Sequence, residues 1–303
     1  MPLLGHTPGC SAAMTPALVL FPCFVASALA CNGGDATGTR AAASYDIIIA
    51  DSHARAAAIF ASHCQQLASQ VIVPVGDNCT AFDARGGIQL SSYGTAIATL
   101  YLHRNKTQSA AASEFFRQLA LCLGPGVSGP VQQPLEMAFV ARAFALFNRQ
   151  SPWLQEKHFA TLSSAAEAAM QAMFFRYLAQ FGPIEQRFPT IWSQYGSENR
   201  DVVEQTSCFI AAQYLSLDPM YASQMLPGNR TVADVAVLWD NFLYEWLKAR
   251  ATSGFFIELG SGSYWYRTWP AVLNLLDLPL SSRVRKRAKM FVDLAMVEAE
   301  QAR

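Results

Sequence analysis

The chain has 303 residues, enough for one large domain or two small ones with a sizeable core. Hydrophobic residues make up 52%, aromatics 12%, and 22 basic side chains balance 22 acidic ones. With no basic stripe to neutralise phosphates, this balance excludes a nucleic-acid-binding protein on electrostatic grounds.

The first thirty residues include the apolar stretch ALVLFPCFVASALA, residues 17–30. Fourteen residues are too few to span a bilayer, but they match a signal-peptide core, and Ala28-Leu29-Ala30 supplies small residues at −3 and −1 of a cleavage site. The expected organisation is a signal peptide at 1–30, a polar linker at 31–43 and one helical domain over 44–303. A secreted or cell-surface protein follows, with no stable membrane span. Three sequons agree with export from a eukaryotic cell: Asn78-Cys79-Thr80, Asn105-Lys106-Thr107 and Asn229-Arg230-Thr231.

Beyond the linker, helix-period segments dominate. The spacing predicts helices over 43–70, 88–104, 109–123, 135–149, 156–181, 196–215, 232–251 and 283–301. Gly182-Pro183 marks a sharp stop, and a Gly/Pro loop covers 124–134. Strand signals are confined to VIVPV at 71–75 and GFFIELG at 254–260. About eight long helices joined by loops suit an all-α array of helical hairpins or an (α/α) toroid, complete or incomplete. The basic cluster from Arg283 to Lys289 is interleaved with apolar residues and reads as the solvated start of the last helix.

Cysteines 64, 79, 122 and 208 follow Cys31. Cys64 and Cys79 are close enough for a local disulfide, although spacing leaves the pairing open. The five histidines are scattered, and no CxxC or HExxH pattern occurs. No metal site and no cofactor are expected.

Two polar constellations stand out. The first is GSENRD at 196–201, where a helix begins. At 100° per residue, Val202, Val203, Phe209, Ile210, Tyr214 and Leu217 fall within an arc of about 140°, the expected buried face. Asn199 projects to the middle of that arc and Arg200 to its edge, while Asp201 and Cys208 point away. Ser, Asn and Asp are also favoured at helix starts, so capping competes with a cavity-lining role. The second constellation is GFFIELGSGSYWYRTW at 254–269, where Glu258, Ser261, Ser263, Tyr264, Tyr266, Arg267 and Thr268 crowd a Gly-rich loop. Such a loop either forms a glycan-binding or catalytic surface or packs against neighbouring helices. If it opens a helix, Tyr264 and Arg267 lie three residues apart on one side, and a cation there favours the tyrosinate.

Ser197-Glu198-Asn199-Arg200-Asp201 before a helix ending in AAQYL, then Glu258, Ser261, Ser263, Tyr264 and Thr268 before an LNLLD helix, resembles a group of large secreted (α/α)-toroid proteins, similar to polysaccharide lyases. The resemblance covers residues 80–303 and is specific around 195–215 and 254–278. Relatives of this kind continue further, often into a β-sandwich domain, so the chain is expected to be truncated or minimal. The resemblance implies β-elimination on a uronate-containing, acidic polysaccharide. In that chemistry a hydrogen-bond donor neutralises the carboxylate as charge develops, and a second group removes the C5 proton.

Carried over, Asn199 is the neutraliser and Tyr264 the base or acid. Glu198, Arg200, Glu258, Ser263, Tyr266 and Arg267 would contact substrate. Where the family pattern has His, this chain has Arg200, which cannot act as a base near neutral pH. Either Tyr264 makes both proton transfers, or the protein binds glycan without cleaving it. A glycoside hydrolase on a similar toroid is the further alternative. It would need two carboxylates about 5–9.5 Å apart, from among Glu198, Asp201, Glu204 and Glu258.

Overall fold

A computed structural model of the chain describes residues 58, 61–75, 79, 90–102, 106–123, 136–157, 159–254 and 265–301. The expected signal peptide and linker lie outside these residues. The fold is all-α. A helical segment at 61–68 precedes α1 (Leu90–Leu102), α2 (Lys106–Cys122), α3 (Met137–Phe147), α4 (Pro152–Lys157), α5 (Ser164–Phe181), α6 (Ile184–Arg187) and α7 (Glu198–Leu215). Then come α8 (Pro219–Ala222), the two-residue strands β1 (Met225–Leu226) and β2 (Arg230–Thr231), α9 (Val232–Ser253), α10 (Trp265–Asp277) and α11 (Ser282–Gln301).

Sequence and structure part company in three elements. The helix expected over 156–181 is split, because residues 159–163 leave the helical path to bridge the ends of two inner helices. Ala160 N–H donates to Leu100 O and Leu162 N–H to Phe147 O, while Phe159 packs on Tyr101 and Phe147. Ser163 then caps α5 by accepting from Ala166 N–H. Among the described residues the segment VIVPV pairs with no strand, and Val71 and Val73 stay exposed. The ladder that does form, antiparallel between Met225–Leu226 and Arg230–Thr231, is a small hairpin that feeds the capping box of Thr231 and Asp234 at the start of α9. GFFIELG falls outside the described residues apart from Gly254.

Alternate helices differ in how much of their surface is covered. α3 is buried on every side, and so is α7 except at Arg200. The described side chains of α1 are buried over Ser92–Leu100, and those of α10 over Thr268–Leu275. By contrast α2, α5, α9 and α11 each bury one face. The chain alternates between the two kinds: α1 packs on α2, α7 on α5 and α9, and α10 on α11.

Specific contacts fix the directions. Asn274 Nδ2 donates to Ala138 O at 2.7 Å, and Asp277 accepts from Arg142 Nη1 at 2.9 Å. Partners come in the same order in both helices, so α3 and α10 run parallel. On the outer side Arg283 pairs with Asp240, Arg287 donates to Tyr244 O, and Trp246 meets Phe291, so α9 and α11 also run parallel.

A disulfide joins Cys79 to Cys122 at the end of α2, across 43 positions of sequence, so the local Cys64–Cys79 pairing does not form. Cys64 is buried in the core. Closing a loop of this size stabilises the fold by about 4 kcal/mol in the chain-entropy account. Cys79→Ser with Cys122→Ser is therefore expected to lower stability by about 2–5 kcal/mol. Urea unfolding under non-reducing conditions measures this, and a loss below about 1 kcal/mol would contradict it.

Candidate site at the N-terminal end of helix α7

The first constellation begins α7, which makes contact with α3, α5, α9 and α10. That encirclement explains why the azimuth argument is only partly right. Asn199 is buried as expected, but Asp201 and Cys208 are buried as well, since the helix has no solvent side along most of its length. Leu217, expected inside, is exposed beyond the Ser216 cap. Arg200 is the exposed residue in the helix.

Capping here also differs from the simplest expectation. Ser197 occupies the N-cap position, but its side chain makes no cap hydrogen bond. Its hydroxyl donates instead to Asn199 Oδ1. Asp201 takes over the loop, accepting from Tyr195 N–H at 2.8 Å and from Gly196 N–H at 3.1 Å. A Cβ on Gly196 would lie 3.0 Å from Arg200 Cδ and 3.4 Å from Asp201 Oδ1, so the exposed Arg200 side chain would have to shift by a few tenths of an ångström.

The other two acids of α7 are held by arginines from outer elements. Glu198 accepts from Arg250 Nη1 at 3.1 Å, and Glu204 from Arg187 Nη2 at 2.7 Å. Each guanidinium in turn lies against aromatic rings. Arg187 sits 4.6 Å from the Phe181 ring and 4.1 Å from Tyr195, whereas Arg250 sits 5.3 Å from Trp192 and 5.7 Å from Trp246. Glu204 is fully buried, and burial raises its carboxyl above the usual range despite Arg187. Burial, and then the Glu204 charge, push the neighbouring Cys208 thiol well up. At neutral pH Cys208 is therefore expected to resist iodoacetamide in the native protein and to react after unfolding. Peptide mapping by mass spectrometry checks this, and native labelling of Cys208 would contradict it.

The second constellation is described in part. Glu258, Ser261, Ser263 and Tyr264 lie outside the described residues. Tyr266 and Arg267 stand in the first turn of α10, described by backbone alone, and Thr268 is buried. The position of the segment's two flanks is nevertheless clear. The Glu198–Arg250 pair brings the end of α9 to the start of α7. Gln213 Oε1, in the last turn of α7, accepts from Leu280 N–H just past α10. Asn199 lies fourteen residues before Gln213, and the first turn of α10 an equal count before Leu280, about 20 Å at 1.5 Å per residue. Gly254 and the first turn of α10 therefore share the end of the fold at which Asn199 is buried.

Sequence reasoning passed over Trp192, Tyr195, Arg187 and Arg250. The signal available was the IWSQY stretch directly before GSENRD, with two large aromatics in a loop. Clefts of about 390 Å³ around Asn229 and about 480 Å³ around Phe188 and Phe242 lie on the flank of α9, and neither is lined by Asn199. Among the described residues no group of three or more His, Cys, Asp or Glu could hold a metal ion, and no helix is long and apolar enough to cross a membrane.

Fold and site together define an all-α protein of paired inner and outer helices, with a buried asparagine and an exposed arginine at one end of its central helix. Comparison with family models, curated proteins and solved structures returns no match.

Proposed function

We propose that the protein is a secreted, toroid-like relative of the polysaccharide lyases that acts by β-elimination on a uronate-containing polysaccharide. The observation that carries this reading is the burial of Asn199 at the end of α7 where α9 finishes and α10 begins. That convergence supports a common site for the SENRD motif and the 254–269 segment. The parallel course of α3 with α10, and of α9 with α11, supports a toroid or an incomplete one. The Cys79–Cys122 disulfide supports an oxidising compartment and hence export.

In this mechanism the Asn199 amide donates from Nδ2 to the uronate carboxylate, stabilising the charge that develops when the C5 proton leaves. Tyr264 removes that proton and returns one to the departing glycosidic oxygen, the C4–O bond breaking as the C4–C5 double bond forms. Arg200 holds a carboxylate from solvent, as its exposure permits.

Hydrolysis is the weaker alternative, because every acid on α7 already has a structural partner. Glu198 is tied to Arg250, Glu204 to Arg187 and Asp201 to two backbone amides. Binding without cleavage is favoured by one observation, the exposed Arg200 where the family pattern carries a basic His.

Incubation with alginate, glucuronan and pectate separates the three. Growing absorbance from unsaturated uronate ends supports elimination. New reducing ends without absorbance would mean hydrolysis, and retention on an acidic-glycan column without products would mean binding alone.

A further inference from the structure

The loop between α6 and α7 presents Trp192, 47% exposed, and Tyr195, 68% exposed. Exposed aromatics are ordinary when scattered, but these two sit on a rigid support. Ser193 N–H donates to Thr190 O, Thr190 N–H to Ser193 Oγ and Trp192 N–H to Thr190 Oγ1, which ties the turn under Trp192. The carboxylate of Asp201 fixes the backbone of Tyr195 and Gly196 from below. One face of each ring lies against an arginine, Arg250 or Arg187, that is itself held by a buried carboxylate of α7. The backbone that carries both rings is thus held in place before any ligand arrives, which lowers the entropic cost of binding.

Charge is layered in the same place. Glu198, Asp201 and Glu204 are all buried, whereas Arg200 faces solvent with no carboxylate ion-paired to it among the described residues. The end of α7 therefore shows water a cation whose Cδ lies against Gly196, next in the chain to Tyr195.

We propose that Trp192 and Tyr195 form a stacking shelf for the pyranose rings of an acidic glycan, with Arg200 as its carboxylate contact. The inference rests on the glycan reading above but needs no cleavage. A pyranose offers an apolar C–H face that gains by covering an aromatic ring. A uronate adds a carboxylate that the planar guanidinium of Arg200 binds in bidentate fashion.

The test measures binding apart from turnover. Tryptophan fluorescence and calorimetry follow titration with hexasaccharides of guluronate and of glucuronate, and with neutral cellohexaose of the same length. Trp192→Ala and Tyr195→Ala are each expected to weaken acidic-oligosaccharide binding about 5- to 30-fold, as for an anchoring aromatic. Arg200→Gln is expected to abolish the preference for acidic over neutral sugars. Circular dichroism checks that the variants, all at exposed positions, remain folded.

Unchanged affinity in both aromatic variants overturns the shelf, even where the wild type eliminates uronate. Equal binding of acidic and neutral hexasaccharides by the wild type overturns the role of Arg200. A shelf that fails in the two variants as expected, in a protein that releases no unsaturated ends, leaves this inference standing and removes the lyase reading. Absence of binding to all three sugars removes both.

Discussion

Arg142→Met is expected to cost the fold about 3–5 kcal/mol, the usual penalty for stranding one member of a buried ion pair. Arg142 and Asp277 are among the most enclosed charges of the molecule, with side-chain exposures of 2% and 1%, and they join α3 to α10. Removing the guanidinium takes one counter-charge away from a carboxylate held in a low-dielectric core. Replacing both partners, Arg142→Leu with Asp277→Leu, is expected to recover much of the loss, because it removes the desolvation cost of both ions at once. Urea unfolding of the two variants against the wild type decides it. A single variant within about 1 kcal/mol of wild type would show that the pair contributes little.

Asn199→Asp is expected to lower the rate of uronate elimination about 10²- to 10³-fold, the cost of losing one preorganised donor to a developing anion. The replacement keeps the side-chain shape but exchanges the donor Nδ2 for a carboxylate oxygen, which repels the substrate carboxylate. Asn199→Ala is expected to lose rate to a similar degree without that repulsion, so its KM should rise less. Single-turnover kinetics on the polymer that the wild type degrades provide the readout, with the urea midpoint showing whether the buried site still folds. Full activity in Asn199→Asp would remove Asn199 from the chemistry.

How far the site was legible follows from particular residues. The burial of Asn199 could be read from its azimuth among Val202, Phe209 and Ile210, because side-chain direction on a helix depends on local geometry alone. The same reasoning misplaced Asp201 and Cys208, since it supposes one buried face and one wet face. α7 has neighbours on all sides, and its polar side chains are accommodated by partners distant in sequence, Arg187 and Arg250 among them. Ser197 looked like the capping residue and occupies the cap position, yet it is Asp201 that holds the preceding loop. Choosing between two suitable acceptors four residues apart depends on the path of the loop, which local preference does not fix.

The sequence by itself determined the helical class, most helix boundaries to within a few residues, the stop at Gly182-Pro183 and the suspicion that residues 196–201 matter. All of these rest on periodicity and on local backbone chemistry, which act over one or two turns. The tertiary structure alone decided that Cys79 pairs with Cys122, that residues 159–163 break a long helix to bridge Leu100 and Phe147, and that Trp192 and Tyr195 rest on arginines clamped to α7. It also brought the first turn of α10 to the end of the fold where Asn199 is buried. Each of these depends on contacts between segments tens of residues apart, whose free energy appears only when the helices pack.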